Sequence, residues 1–358
     1  MTYINSIIKG VGSFIPDNIV KNKDFINQDF YTEKQERMEN GGEDIIRKFH
    51  EITGIEERRY LPKDLNLSDI AHIAAQRAIE NSGIDPETID QIIVAHNFGD
   101  VSYGSVQTDI LPSLASRIKH KLRIKNPATV AYDILFGCPG WIQGMIQADA
   151  YIKAGIGNRF LVIGAEALSR VVDPYDRDSM IYADGAGAVI LEGVEEDKKR
   201  GMLSSSMQTD TFDEAYLLFL GKSNKPDYQP NTRYIKMYGR KIYEYAISKV
   251  PAAMKLALER AGLNITDVNK ILIHQANEKM DEAMVKRLYR LYREKNIPEN
   301  IMPMSINKLG NSSVATIPTL YNMILNGEFS QHKIEEDDIL LFASVGAGMN
   351  INSFVYRQ

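Results

Sequence analysis

The chain repeats itself at half its length, and that repeat restricts its fold more than any other feature. Ala78-Ile79-Glu80-Asn81-Ser82-Gly83-Ile84 and Ile89-Asp90-Gln91-Ile92-Ile93-Val94 form the first copy. At an offset of 179 residues they align without gaps with Ala257-Leu258-Glu259-Arg260-Ala261-Gly262-Leu263 and Val268-Asn269-Lys270-Ile271-Leu272-Ile273. Each copy reads as an amphipathic helix, a glycine stop, a short polar loop and a buried strand. Helix–glycine–strand is a common unit, so chance likeness between two α/β modules is the plain alternative. The common register and the half-length offset favour duplication, with halves at 1–195 and 196–358.

A duplicated α/β unit predicts layers of helices on sheets, and 358 residues at 44% hydrophobic content suffice to fill them. Further buried strands are expected at 161–165 and 338–343, and a glycine-rich turn into a strand at 185–191. Residues 31–50 read as charged, helix-like and exposed, and 208–236 as a long loop.

Several classes of function are disfavoured at this stage. No apolar run approaches the roughly 18 residues of a membrane span, and no signal peptide opens the chain. A net charge of −5 speaks against nucleic acid as the main partner. One cysteine allows no intrachain disulfide and no multi-cysteine zinc site, and it suits a reducing cytoplasm. His50, His72, His96, His120 and His332 show no metal-ligand spacing, so neither a metal nor a membrane is expected.

The single cysteine, Cys138, lies between the apolar run 129–135 and a helix-like stretch, 142–153. A thiol at a helix N-terminus feels unpaired N–H groups and the positive dipole end. Both favour the thiolate, which is the nucleophile. Gly137 permits a sharp turn into the helix, and Pro139 suits its first turn. A buried structural cysteine is the bland alternative.

His274 follows the strand 270–273, where open α/β sheets place ligands; a hydrogen-bonded core histidine fits equally. In Gly310-Asn311-Ser312-Ser313, Asn311 or Ser312 would cap the next helix. Ser344-Val345-Gly346-Ala347-Gly348 follows a strand and can bring backbone N–H groups to a ligand. It lacks the spacing of a dinucleotide fingerprint. Residues 278–295 read as a helix carrying Lys279, Lys286, Arg290 and Arg293 as one basic stripe, or simply as a solvated face.

Phe136-Gly137-Cys138-Pro139-Gly140, Asp184-Gly185-Ala186-Gly187-Ala188, His274-Gln275-Ala276-Asn277 and Gly310-Asn311-Ser312-Ser313 occur in that order. Together with Thr53-Gly54-Ile55-Glu56-Glu57-Arg58-Arg59 and Ile163-Gly164-Ala165-Glu166, they resemble the 3-oxoacyl-[acyl-carrier-protein] synthase III family. The resemblance implies the thiolase-like fold, a duplicated five-layered αβαβα arrangement, and a cytoplasmic homodimer. It implies that Cys138 accepts an acyl primer from acyl-coenzyme A or an acyl carrier. His274 and Asn311 would then handle malonyl-carrier protein, giving a 3-oxoacyl product for fatty-acid or related polyketide-like synthesis, with no cofactor beyond the substrates.

Backbone N–H groups of Cys138 and Ala347 would form the oxyanion hole. Arg177 would pack on the coenzyme A adenine, and Lys279, Lys286 and Arg287 would dock the acidic carrier protein. The segment 98–111, ending at Leu111, would reach the acyl pocket of a partner subunit. The chain departs from the family in lacking a tryptophan before Thr53-Gly54 and in carrying Ile52 where an arginine is usual. Those departures leave open whether the primer donor is coenzyme A or a carrier. Asn311 in place of a second histidine speaks against an elongating synthase, and the absence of a second cysteine against a degradative thiolase. An acyltransferase forming an ester or amide, or a cysteine hydrolase, is the remaining alternative.

Overall fold

The computed structural model describes residues 2–358. The first half runs β1 (Tyr3–Phe14), β2 (Asn18–Lys21), α1 (Gly42–Thr53), β3 (Glu57–Tyr60), α2 (Leu67–Ser82), β4 (Gln91–Ala95), α3 (Leu114–Lys121), β5 (Val130–Ile134), α4 (Gly140–Lys153), β6 (Arg159–Ala167) and β7 (Asp184–Glu196). The second runs β8 (Gly201–Thr209), β9 (Leu218–Gly221), β10 (Tyr234–Met237), α5 (Gly239–Ala261), β11 (Lys270–Ile273), α6 (Glu278–Leu291), α7 (Ile306–Leu309), α8 (Thr316–Leu325), β12 (Ile339–Gly346) and β13 (Asn350–Arg357).

Two sheets dominate, ordered β1-β7-β6-β4-β5 and β8-β13-β12-β11. Apart from β5 the orders correspond strand for strand, and so do the directions. The pairs β4–β6 and β11–β12 are parallel, whereas β6–β7 and β12–β13 are antiparallel. The repeat is visible down to its turns. Gly83 (φ 69°) and Gly262 (φ 71°) end α2 and α5 in the left-handed conformation. Asp85 and Asn264 then cap equivalent single turns, accepting from the N–H groups of Glu87 and Thr266.

The halves are layered rather than separate. α2 covers the outer face of the first sheet and α5 that of the second, while α4 and α8 lie between the sheets. The central layer is one apolar core in which Trp141, Met145, Leu320 and Tyr321 meet Phe342 and Phe354. The last two rings stack at 4.4 Å. Each such side chain removed from water contributes about 1.5–3 kcal/mol, so the two sheets are held together through α4, the helix that Cys138 precedes. The arrangement is the layered α/β fold that the repeat predicts. No described helix is long and apolar enough to cross a membrane.

Three local expectations are corrected. Within 31–50 only the part from Gly42 onward is helical. The Tyr31↔Arg37 bridge and Gln35 at φ 65° make the preceding stretch irregular. The charged run has no apolar stripe to bury, whereas Ile45, Phe49 and Thr53 supply one in α1. The 208–236 loop contains β9 and β10, which pair antiparallel. The buried Lys236 Nζ anchors them through Asp173 (2.6 Å) and Asp176 (2.8 Å). The helix expected over 278–295 stops at Leu291, because the following Arg293-Glu294-Lys295-Asn296 has nothing apolar to pack. Arg293 turns left-handed (φ 59°) and leaves the basic stripe.

Candidate active site

Cys138 sits between β5 and α4, and two glycines account for the turn. Gly137 is left-handed (φ 66°), and a Cβ there would stand 2.7 Å from the Ala347 nitrogen. A Cβ on Gly346 would stand 2.4 Å from the Cys138 nitrogen. The Phe136-Gly137-Cys138 and Gly346-Ala347-Gly348 turns therefore interlock at distances only glycine permits. Asn350 ties them together, its Nδ2 donating to the Ala347 oxygen (2.8 Å) and the Phe136 oxygen (3.4 Å).

The electrostatics of the thiol correct one expectation. The helix N-terminus is present, yet burial dominates and pushes the Cys138 thiol up to about 12, with a Ser313 hydrogen bond opposing. Cys138 is partly open to its cavity, but the surrounding protein disfavours a charge more than the helix end favours it. The resting Cys138 side chain is a protonated thiol rather than a free thiolate.

His274 follows β11 directly, its N–H donating to the Ala343 oxygen (2.9 Å). It is 4% exposed. Burial lowers its pKa to about 4, the Ser313 main chain opposing, so the ring is neutral at pH 7. The neighbouring Gln275, fully buried, accepts from the Ser305 (2.9 Å) and Ile306 (3.1 Å) N–H groups and donates to the Pro303 oxygen (2.8 Å). It thereby fastens the segment leading to Asn311 against the end of β11.

Asn311 is 4% exposed, and its main chain bonds Ile181 (2.9 Å) and Ala183 (2.8 Å). Its Oδ1 accepts from the Ser313 N–H (2.8 Å), a local turn bond. The helix cap expected of Asn311 or Ser312 is not made, because Ser312 and Ala315 stand at the caps and neither gives a side-chain bond. With the oxygen committed, the amide NH2 remains as a donor. Gly310 beside it is left-handed, and a Cβ there would stand 2.7 Å from the Arg58 Cβ. Arg58, from the Thr53-to-Arg59 motif, is fully buried and donates to Met180, Val20 and Asn22. That motif thus supports the floor under Asn311.

Tyr182 lines two cavities. One, of about 190 Å³, is lined by Cys138, Ser313, Ala347, Asn97 and apolar residues including Leu168 and Ile235. The other, of about 300 Å³, is lined by Asn311, Arg177, Ile52, Tyr243 and Met280. Gly54 ends α1 directly against Glu278 at the start of α6, beside this second cavity. Cys138 and Ala347 therefore share the first cavity, and Asn311 and Arg177 the second, with Arg177 bonded to Asp178 (3.3 Å). His274 lines neither cavity and meets the Ser313 main chain between them.

Lys279, Lys286 and Arg287 are exposed on α6 outside both cavities, with Lys286 paired to Glu282 at 2.9 Å. Leu111 is 87% exposed and lines neither cavity. The contributions of Gln275, Asn350, Asn97 and Ser313 were not read from the sequence. Gln275 and Ser313 lie inside motifs the sequence displayed, Asn350 just beyond one, and Asn97 beside none.

Comparison with known proteins agrees with this geometry. The family models for 3-oxoacyl-[acyl-carrier-protein (ACP)] synthase III and for its C-terminal part match residues 132–211 and 258–358. The chain is 34% identical to a beta-ketoacyl-[acyl-carrier-protein] synthase III of Staphylococcus epidermidis over 355 residues, 99% of each chain. It is 31% identical to one of Cereibacter sphaeroides over 358 residues, again 99% of each. Among solved structures, the beta-ketoacyl-[acyl carrier protein] synthase III of Thermus thermophilus matches with a TM-score of 0.80 at 28% identity, covering 98% of both chains.

Proposed function

This chain belongs to the 3-oxoacyl-[acyl-carrier-protein] synthase III family, and from that premise we propose how its own residues divide a decarboxylating condensation. Cys138 attacks an acyl thioester, the thiol proton passes to the departing thiol, and the acyl group rests on sulfur. The N–H groups of Cys138 and Ala347 stabilise the tetrahedral oxyanion, each donor being worth roughly 3–4 kcal/mol. A malonyl thioester then loses CO2 while His274 and the Asn311 amide donate to its thioester carbonyl and hold the enolate. The carbanion attacks the acyl-cysteine, and the sulfur leaves and is reprotonated. The observation that carries this reading is that Tyr182 lines both the cavity holding the Cys138 thiol and the cavity holding Asn311, a neutral donor whose oxygen is already bonded.

The small apolar cavity beside Cys138 suits a short acyl chain, being below the roughly 300 Å³ of ordinary small-molecule pockets. Arg177 lies where an incoming coenzyme A or carrier-borne pantetheine arm would pass. The exposed β5 edge, with Leu111 and Leu135 nearby, supports a homodimer in which that surface is covered. The deciding experiment is intact mass after exposure to a panel of acyl-coenzyme A and acyl-carrier thioesters, then to malonyl-carrier protein. An adduct that discharges into a 3-oxoacyl product is expected. An adduct that malonyl-carrier protein leaves in place points to an ester- or amide-forming acyltransferase or a hydrolase instead.

Carrier recognition yields a second expected result. Lys279, Lys286, Arg287 and Arg290 remain on one helix beside the mouth, and an acidic partner fits them. Charge reversal at Lys286 and Arg287 should lower kcat/KM with malonyl-carrier protein roughly tenfold, most strongly at low salt. The rate with a small thioester mimic should be unchanged, and carrier-protein kinetics indifferent to the reversal would remove the docking role.

A further inference from the structure

One wall of the thiol cavity is a hairpin that belongs to neither main sheet. β9 and β10 pair as strands with each other alone. Leu218, Phe219 and Leu220 of β9 and Ile235 of β10 line the cavity beside Cys138. Side chains alternate along a strand, and β10 uses both faces. Ile235 lines the first cavity and Met237 the second, while Tyr234 and Lys236, between and beside them, are buried on the other face. Main-chain support from outside the pair comes from the Ile235 N–H, which donates to the Val171 oxygen (3.1 Å). A two-stranded hairpin is marginal by itself, so whatever grips its back sets where the cavity wall stands.

Lys236 supplies that grip. It is 8% exposed, and its ammonium has three hydrogens to give. Three acceptors take them: Asp173 Oδ2 at 2.6 Å, Asp176 Oδ2 at 2.8 Å and Asn224 Oδ1 at 2.7 Å. The acceptors are themselves fixed. Asp173 also accepts from the Tyr175 N–H (3.0 Å), the Ser223 hydroxyl (2.9 Å) and the Asn224 N–H (2.7 Å). Asp176 Oδ1 accepts from the Asp178 N–H (3.0 Å), which aims its Oδ2 at the lysine. Asn224 Nδ2 donates to the Tyr31 oxygen (3.0 Å), which orients its Oδ1 likewise. Charge-assisted bonds to held acceptors fix the ammonium in place, and the lysine stem fixes β10.

We propose that Lys236 is a positioning residue that sets primer length. By pinning β10 to the Asp173–Asp176 loop it holds Ile235, and through the β9 pairing Phe219, against the cavity of about 190 Å³ beside Cys138. Longer acyl chains are thereby kept out. The inference rests on Cys138 carrying the acyl primer.

The test is the initial rate of acyl loading, read as intact mass, from acetyl-, butyryl-, hexanoyl- and octanoyl-coenzyme A; the same series on carrier protein serves where coenzyme A does not. The donor arm is common to each series. The octanoyl-to-acetyl ratio therefore reads the cavity, whereas a general loss of stability or of donor binding slows every length alike. The wild type should favour acetyl. Lys236→Met keeps an unbranched stem but gives no hydrogens, and it should raise the ratio about tenfold, the scale on which apolar pockets separate chain lengths. Asp173 keeps its three other donors in that variant. Asn224→Ala removes one acceptor and leaves both carboxylates, so it should raise the ratio less, about threefold. Ile235→Ala, which cuts back the wall itself, should raise it at least as far as Lys236→Met. An unchanged ratio in folded Lys236→Met would overturn the proposal, and if that variant does not fold, an unchanged ratio in Asn224→Ala would do so. An unchanged ratio in Ile235→Ala, or a wild type that loads octanoyl as fast as acetyl, would overturn it too. A wild type that takes no adduct from either series would instead undercut the nucleophile assignment.

Discussion

Cys138→Ala should abolish covalent acylation and lower condensation roughly 10⁴-fold or more, while leaving the fold intact. A nucleophile removed from a covalent mechanism takes with it the whole of the two-step route, and comparable losses are on that scale. The change deletes one sulfur from a side chain that lines a cavity, so no packed methylene is lost and thermal stability should move by about 1 kcal/mol at most. The interlocked glycine turns involve main-chain atoms only and persist in the variant. Cys138→Ser is the sharper comparison, because it keeps a nucleophilic heteroatom and the Ser313 contact but raises the proton affinity further. It should acylate at less than about a hundredth of the wild-type rate. Intact mass after incubation with labelled acyl donor is the measurement. Label still attaching to the alanine variant would place the acyl group elsewhere and sink the assignment.

The features legible in the sequence were those whose physics is local. A strand is read from an apolar run and a helix end from a glycine, so Cys138, His274 and Asn311 could be placed at element boundaries. The two copies at an offset of 179 residues foreshadowed two sheets of matching strand order. What eluded sequence reading depends on distant segments. Asn350 reaches Phe136 across 214 residues, and Asn97 reaches Ser313 across 216. No local pattern encodes such meetings. The thiol shows why. Its helix N-terminus is a property of the next few residues and was anticipated, whereas the burial that outweighs it arises from packing between the halves. Likewise, charge density in 31–50 suggested a helix, but only the stripe Ile45, Phe49 and Thr53 gave one something to bury.

His274→Ala and Asn311→Ala should each spare acylation to within a few-fold yet slow malonyl-dependent condensation about 10²–10³-fold, the loss expected for one donor to a developing oxyanion. Asn311→Asp separates the donor from the turn acceptor. Its carboxylate still accepts from the Ser313 N–H, as Asn311 does at 2.8 Å, but it offers no hydrogen and places negative charge at the enolate. Condensation should therefore fall at least as far as in the alanine variant, with thermal stability kept closer to wild type. Near-wild-type condensation by Asn311→Asp would reduce Asn311 to its turn bond with Ser313. The histidine carries a pH signature as well. Its pKa is lowered from 6.5 to about 4 in the folded protein, so between those values the unfolded chain binds more protons. Its neutral form stabilises the fold fully above pH 6.5, and that contribution is lost as pH falls toward 4. Unfolding midpoints in denaturant should decline over this window in the wild type and decline less in His274→Ala. Condensation should show no His274-dependent step at neutral pH, because the ring donates as a neutral group throughout. A condensation rate falling as pH rises through a transition near 6.5, and losing that transition in His274→Ala, would instead assign the imidazolium, and with it proton transfer, to this residue.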